Sequence, residues 1–230
     1  MPCSAAPVTC AVAMRFGVRV VTAAVATLVL VATMMALPVV PNAAAADCPD
    51  IEVVFARGTD EPPGIGKVGQ ALVDSIRSLV KKKKSVRAYA VQYPASWDFL
   101  GVVDGANDAS AHIQSTAAKC PSTRMVLGGY SQGAAVVDVI TTSPIAGVGF
   151  KSPLPAAVAD HIAAVAVFGN PSARLGQPLT TLSPVYGART ADMCNANDPI
   201  CSLGKDFGSH VRYPESGLVK RAAQWSVDHL

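Results

Sequence analysis

Charge is scarce in this chain of 230 residues. Only 15% of its side chains are Asp, Glu, Lys or Arg, and 19 basic against 16 acidic residues leave a formal net charge of +3. The cations are spread thinly and no aromatic residues are interleaved among them, so the electrostatic footprint of nucleic-acid binding is missing. Aromatic residues are few as well, at 6%. No internal repeat is visible, and no low-complexity tract beyond the first 46 residues. Half of the residues are apolar, which speaks against a disordered chain or a coiled coil and leaves one ordinary domain. Paired C-x-x-C units and a histidine in metal register are also lacking, which argues against a zinc site.

What the chain has in excess is apolar sequence at its start, which accounts for a mean hydropathy of +0.34. Arg15 and Arg19 precede an apolar run over residues 20–40, followed by Pro41, Asn42 and four alanines ending at Ala46. This pattern predicts a secretory signal peptide over residues 1–46, cut near Ala46. An uncleaved membrane anchor is the alternative, because the run is long enough to span a bilayer. Met14 to Arg19 is itself a good opening for such a peptide, so Met14 stands beside Met1 as a candidate initiator. Asp47 before Cys48 argues against a lipid-modified N-terminal cysteine. Residues 47–230 are then one secreted domain, nearly balanced in charge once the two leader arginines are gone.

Cys3 and Cys10 leave with the leader, and Cys48, Cys120, Cys194 and Cys201 remain for an oxidising compartment. Cys194 and Cys201 enclose a short polar loop containing Asp198 and Pro199. They are expected to pair with each other, leaving Cys48 for Cys120. Closing these loops is worth about 2.5 and 4 kcal/mol in the chain-entropy model.

Along the remaining chain, apolar runs at residues 51–56, 86–93, 124–129 and 161–168, with a weaker one at 185–190, read as strands. Helical periods occupy residues 67–80, 104–118, 133–141 and 215–227. Strand alternating with helix predicts an α/β fold: a five-stranded, mostly parallel sheet with helices on both faces. The lysines at 81–84 follow a helix whose dipole favours cations at that end, and they read as a solvated helix terminus.

Gly129-Tyr130-Ser131-Gln132-Gly133 is G-x-S-x-G placed between an apolar strand and a small-residue helix, the context of a nucleophile elbow. A serine hydroxyl needs a base, and this arrangement draws it from later in the chain, in the order Ser, acid, His. His161 opens a strand and so sits at the wrong edge of the sheet, and His229 is next to the terminus. His210, in a loop before the last helix, is the base. Asp138 belongs to the helix behind the serine and Asp160 shares the edge of His161. Of Asp192, Asp198 and Asp206, Asp198 is preferred because the flanking cysteines would hold its carboxylate in one orientation; Asp192 is the reserve. Negative charge on a substrate oxygen requires donors. The backbone N–H of Gln132 is one, and Thr59, in the loop after the first strand, offers its N–H and hydroxyl as the second. Arg57 reads as structural, pairing with a carboxylate.

Four segments in this order, Phe55 to Thr59, Gly129 to Gly133, Cys194 to Cys201 and His210 to Tyr213, resemble the cutinase family, in particular the secreted cutinase-like proteins of mycobacteria. The resemblance covers nearly all of residues 47–230. It implies a small lidless α/β-hydrolase that cleaves carboxylic esters of lipid-like or polyester character. It also implies Ser131, Asp198 and His210 as the triad, Thr59 and Gln132 as the oxyanion hole, and the disulfides Cys48–Cys120 and Cys194–Cys201.

No long insertion is left over to build a lid, so the site should face solvent. Trp97, Phe99, Leu100, Leu203 and Phe207 either line an acyl groove there or pack loops onto the sheet. The expected protein is a monomer that needs no cofactor or metal, acts on a small-molecule or lipid ester, and touches a membrane or cell envelope at most peripherally. A phospholipase A or an acyltransferase could use the same three residues, and a binding module on an inactive hydrolase scaffold is the alternative outside enzymes.

Overall fold

A strand in which all six residues are buried, β1 (Ile51–Ala56), lies inside the sheet with a neighbour on each side. The computed structural model describes residues 48–143 and 146–230; the expected leader, residues 1–46, and the choice between Met1 and Met14 lie outside them. The other strands are β2 (Val86–Ala90), β3 (Arg124–Tyr130), β4 (Ile162–Phe168) and β5 (Thr190–Met193). Their order is β2-β1-β3-β4-β5 and every pairing is parallel. The helices are α1 (Gly66–Val80), α2 (Gly101–Lys119), α3 (Gln132–Thr142), the short α4 (Pro171–Arg174), α5 (Leu179–Leu182) and α6 (Phe207–Val211), and α7 (Leu218–Asp228).

Side chains alternate across a strand, so β1 feeds both faces of the sheet. Ile51, Val53 and Phe55 meet Val68, Leu72 and Ile76 of α1 and Val219, Ala222 and Ala223 of α7. Val54 and Ala56 meet Val102, Ala106 and Ile113 of α2 and Ala134, Val137 and Ile140 of α3. Helices therefore cover both faces, as a parallel sheet requires. The lysines at 81–84 are exposed just beyond α1, whose last turn is closed by Lys81 in the left-handed region.

The last strand departs from the expectation at 185–190. Residues Gly187–Arg189 form a 3-10 turn, with the Arg189 guanidinium over the Tyr186 ring, and pairing with β4 begins only at Thr190. Helix α7 also starts later than expected, at Leu218, after Pro214 and after Gly217 with φ of 82°. His210 lies in α6 rather than in a loop.

Candidate active site

The chain steps from β1 outward to β2 and then returns to β3 on the other side of β1, so the strand order reverses between β1 and β3. In open parallel sheets a crevice forms beyond the carboxyl ends of the strands at such a switch point. Two segments end there in register: Ala56 of β1 pairs with Gly129 of β3. The first runs on to Thr59, the second to Ser131.

Ser131 has φ of 56° and ψ of −117°, a backbone state costing about 1–3 kcal/mol in a residue with a side chain. Its N–H donates to the Phe168 carbonyl at 2.8 Å. Added methyl groups would collide with the Gly133 carbonyl at position 129, and with the Ala56 carbonyl at position 133. The two glycines are there because backbone passes backbone at this turn. The serine hydroxyl is left at the sheet's carboxyl edge, at the start of α3.

His210 and Asp198 meet it from the far end of the chain. Ser131 Oγ lies 3.0 Å from His210 Nε2, and His210 Nδ1 lies 2.8 Å from Asp198 Oδ2. A carboxylate only accepts, so Nδ1 carries a proton, and Nε2 is the ring nitrogen that faces the hydroxyl. Asp198 is fully buried. Its Oδ2 also accepts from Tyr213 Oη at 2.6 Å, and its Oδ1 from the Ile200 N–H at 2.8 Å. Burial pushes the carboxyl up, but the bonds from His210, Tyr213 and Ile200 outweigh it and hold the group below the ordinary carboxylate value. Burial drives the Tyr213 hydroxyl far upward, with Asp198 adding to it, so the phenol stays a donor. The Cys194–Cys201 disulfide closes the loop that carries Asp198, and Cys48–Cys120 is the second bridge. The four cysteines among the described residues are all paired in these two bridges.

The imidazole is also clamped from its sides. The Tyr130 ring stacks on it at 4.9 Å, and the Tyr130 hydroxyl donates to the His210 carbonyl at 2.8 Å. Gly169, with φ of 58°, passes beneath the His210–Asp198 bond so closely that an added methyl would meet His210 Cε1 at 2.9 Å and Asp198 Oδ2 at 3.1 Å.

The loop bearing Thr59 is bound on both sides. Arg57 Nε donates to the Glu61 carbonyl at 2.8 Å, and Nη2 donates to the Tyr93 carbonyl at 2.8 Å and the Pro94 carbonyl at 3.3 Å. Arg57 is thus structural as expected, but through carbonyls rather than the carboxylate partner anticipated for it. Glu61 Oε2 accepts from the Gly58 N–H at 2.7 Å, and Oε1 from the Lys67 N–H at 2.8 Å. Gln132 is fully buried, and its Nε2 donates to the Ser96 carbonyl at 2.8 Å. The start of α3 is thereby tied to the loop beyond β2.

Of the five apolar residues singled out, all are exposed, between 51% and 84%. Trp97, Phe99 and Leu100 stand on the loop before α2, and Leu203 and Phe207 on the approach to His210. The Trp97 indole N–H donates to Asp60 Oδ2 at 2.5 Å. Leu100 turns toward a separate cleft of about 420 Å³ shared with Asn107, Val148 and Lys151. The rejected candidates lie elsewhere. His161 ends a 3-10 turn before β4, and His229 is bonded to the Trp225 carbonyl. Asp206 caps α6, and Asp192 accepts from the Leu179 N–H. Tyr213 and Tyr130 both lie inside the segments that stood out in the sequence. Nothing in their spacing marked them as partners of Asp198 and His210.

The model of the family described as Cutinase matches residues 47–230. Phospholipase Culp4 of Mycobacterium tuberculosis (strain ATCC 25618 / H37Rv) is 52% identical over 212 residues, covering 92% of each chain. Carboxylesterase Culp1 of Mycobacterium bovis (strain ATCC BAA-935 / AF2122/97) is 47% identical over 213 residues, covering 88% of this chain and 93% of that one. Among solved structures, Trichoderma reesei cutinase in complex with a C11Y4 phosphonate inhibitor is similar with a TM-score of 0.63 and 33% identity, over 79% of this chain and 76% of that one. The catalytic core domain of acetyl xylan esterase from the same organism has a TM-score of 0.68 at 25% identity, over 80% of this chain and all of that one. A family model that takes in every strand of the sheet, together with relatives sharing about half of their residues with it, shows that the chain belongs to the cutinase family.

Proposed function

We propose that this carboxylic ester hydrolase works through an acyl-enzyme on Ser131, with His210 as general base and acid and Asp198 as the carboxylate that orients it. The observation that carries the reading is the unbroken relay from Asp198 Oδ2 through both ring nitrogens of His210 to Ser131 Oγ, at 2.8 and 3.0 Å. As Oγ bonds to the ester carbonyl carbon, its proton passes to Nε2. The carbonyl oxygen becomes an oxyanion beside the N–H of Gln132 and the N–H and hydroxyl of Thr59, whose loops both end at the switch point. Collapse breaks the bond to the alkoxy group, which leaves with the proton from Nε2. Water then gives a proton to the same nitrogen as it attacks the acyl carbon; the bond from that carbon to Oγ breaks, Oγ takes the proton back from Nε2, and the acid is released. Asp198 stays ionised throughout; three hydrogen bonds to a buried carboxylate favour its charged form, which stabilises the imidazolium that forms twice in the cycle.

The substrate is an ester with a lipid-like acyl chain, reached from open solvent. Two exposed apolar banks support this, Trp97, Phe99 and Leu100 on one loop and Leu203 and Phe207 on another. A phospholipid is the second reading, supported by the relative named Phospholipase Culp4. Release of fatty acid from phosphatidylcholine vesicles, set against hydrolysis of p-nitrophenyl butyrate, separates the two. The protein acts as a secreted monomer beginning near Asp47. The two disulfides support an oxidising compartment, and N-terminal sequencing of protein from culture medium tests the cut.

The test of the mechanism is Ser131→Ala together with labelling by a fluorophosphonate. The wild type should label on Ser131, and the variant should lose both labelling and more than about 1,000-fold in kcat. A variant keeping a tenth of the wild-type rate would overturn the assignment.

A further inference from the structure

Behind the relay lies a buried polar node that takes no part in the chemistry above. Asn170, fully buried, follows Gly169 at the end of β4. Its Nδ2 donates to Asp138 Oδ1 at 3.0 Å and to Asp192 Oδ2 at 3.2 Å. Its Oδ1 accepts from the Ser172 N–H at 3.2 Å, capping α4. One side-chain amide has two N–H groups, and here each is spent on a different carboxylate.

The three segments joined in this way are the ones that place the relay. Asp138 lies on α3, the helix that begins immediately after Ser131. Asp192 lies on β5, which runs through Met193 directly into Cys194 and the loop holding Asp198. Asn170 itself is covalently next to Gly169, the floor beneath the His210–Asp198 bond, and the Gly169 N–H donates to the Met193 carbonyl at 3.0 Å.

We propose that Asn170 is a positioning residue for ester hydrolysis, its amide fixing α3, the turn after β4 and the end of β5 to one another so that the relay keeps hydrogen-bond distance. The proposal rests on the reading of Ser131, His210 and Asp198 as the catalytic relay. A structural tie made with an apolar contact would serve stability equally well. One oxygen of the node is unsupplied: Asp192 Oδ1 is buried without a hydrogen-bond partner, while Asp192 Oδ2 accepts from Asn170 and from the Leu179 N–H at 2.8 Å. Burial pushes both carboxyls up, Asp138 to about 6. Such an arrangement is costly to bury, and it makes the donor count of residue 170 decisive. The ionisable groups facing the amide are Asp138 from α3 and Asp192 from β5. Arg174 of α4 is bonded away to the carbonyls of Pro199 and Ser202, α5 carries no ionisable side chain, and Asp198 and His210 lie beyond Gly169.

The test uses the purified full chain, p-nitrophenyl butyrate, and pH values of 6, 7 and 8. Asn170→Asp keeps the shape but replaces both donors with a third carboxyl. Displacing a reacting group by about 1 Å costs on the order of 100-fold, so kcat at pH 8 should fall at least tenfold with KM changed less than threefold. The ratio of variant to wild-type kcat should climb toward pH 6, as the added carboxyl takes up a proton and can donate again. Asn170→Asp combined with Asp138→Asn moves a donor onto α3 and should recover most of the loss at pH 8. A kcat for Asn170→Asp within threefold of wild type, or a loss that neither pH nor the double variant relieves, overturns the proposal. If Asn170→Asp does not fold, Asp192→Ala, which cuts the tie to β5 and with it the bond from the Leu179 N–H, decides: lowered kcat with unchanged KM supports the proposal and unchanged kcat overturns it. Failure of the wild type to label at Ser131 with a fluorophosphonate identifies the other failure, that of the relay itself.

Discussion

Replacing Tyr213 by Phe removes one oxygen atom from a fully buried ring and leaves the packing of that ring against Phe168 and Tyr130 in place. What is lost is the 2.6 Å bond from the phenol to Asp198 Oδ2. A hydrogen bond to a charged group is worth about 1.5–3 kcal/mol, and Asp198 is buried, so solvent does not screen the interaction. For a domain of this size each kcal/mol shifts Tm by about 2–4 °C, giving a fall of about 3–12 °C at pH 7. The Asn195 N–H also loses its 3.2 Å acceptor, a loss that does not depend on pH. The two contributions separate on acidification. The folded-state pKa of Asp198 lies below its ordinary value, so the stability it confers is complete above that ordinary value, about 4, and fades as pH falls through the folded value. The difference in Tm between wild type and Tyr213→Phe should therefore be full above pH 5 and narrow markedly by pH 3. Thermal denaturation followed by circular dichroism at pH 7, 5 and 3 measures it. A variant as stable as wild type at pH 7, or a difference that stays constant to pH 3, would refute the claim that the phenol holds Asp198 in its ionised form.

Opening the short bridge by replacing Cys194 and Cys201 with Ser should cost about 2.5 kcal/mol, the loop-entropy value for so short a closure, and should lower kcat at least tenfold because the loop carrying Asp198 is freed; urea denaturation and ester hydrolysis measured on one preparation check both, and unaltered kcat would count against the disulfide as an orienting device. Glu52, 4% exposed in β1, accepts from His112 and Thr116 at 2.9 and 3.0 Å. Burial raises its pKa, but those bonds and the nearby charge of His112 prevail, leaving it below the ordinary value. Glu52→Gln should therefore destabilise by about 1.5–3 kcal/mol at pH 7, with the difference closing as pH falls through the folded-state value of Glu52, and without any change in KM.

The parts of the fold that could be read from the chain are those whose cause is local. Ile51–Ala56 is buried on both faces and reads as a mostly apolar run. The Gly129 to Gly133 turn carries its own steric requirement, and the loop between Cys194 and Cys201 its own closure. What escaped depends on partners far away in sequence. Glu52 looks like a flaw in an apolar strand until His112 and Thr116, which are 60 and 64 residues later, supply its hydrogen bonds. The edge strand β5 has one neighbour and only four residues, two of them polar, so its apolar signal is weak. The more apolar residues before it were spent on a turn where Tyr186 is buried and Arg189 stacks on it. Tyr213 sits three residues after His210, a spacing that suits core packing as well as it suits donation to Asp198.

Asp198 and the pair Asp138 and Asp192 lie on opposite sides of Gly169 and Asn170, and the same fold sends them in opposite directions. Burial alone would raise all three. Around Asp198 both oxygens are supplied, Oδ2 by His210 and Tyr213 and Oδ1 by the Ile200 N–H, and the carboxyl ends below its ordinary value. Behind it, one amide group is divided between two carboxyls, Asp192 Oδ2 also accepts from the Leu179 N–H, one oxygen of Asp192 has no partner, and both end above. Burial and donor supply together therefore set the three carboxyls apart: donors outweigh burial at Asp198, and burial outweighs them at Asp138 and Asp192. In the proposed cycle, the charge that faces an imidazolium twice per turnover sits where donors are plentiful. Around the amide, the charges of Asp138 and Asp192 repel each other, which adds to the upward shift of Asp138. The chemistry of the rim and the rigidity of what lies beneath it are thus set by how a few N–H and O–H groups are distributed across one turn of chain.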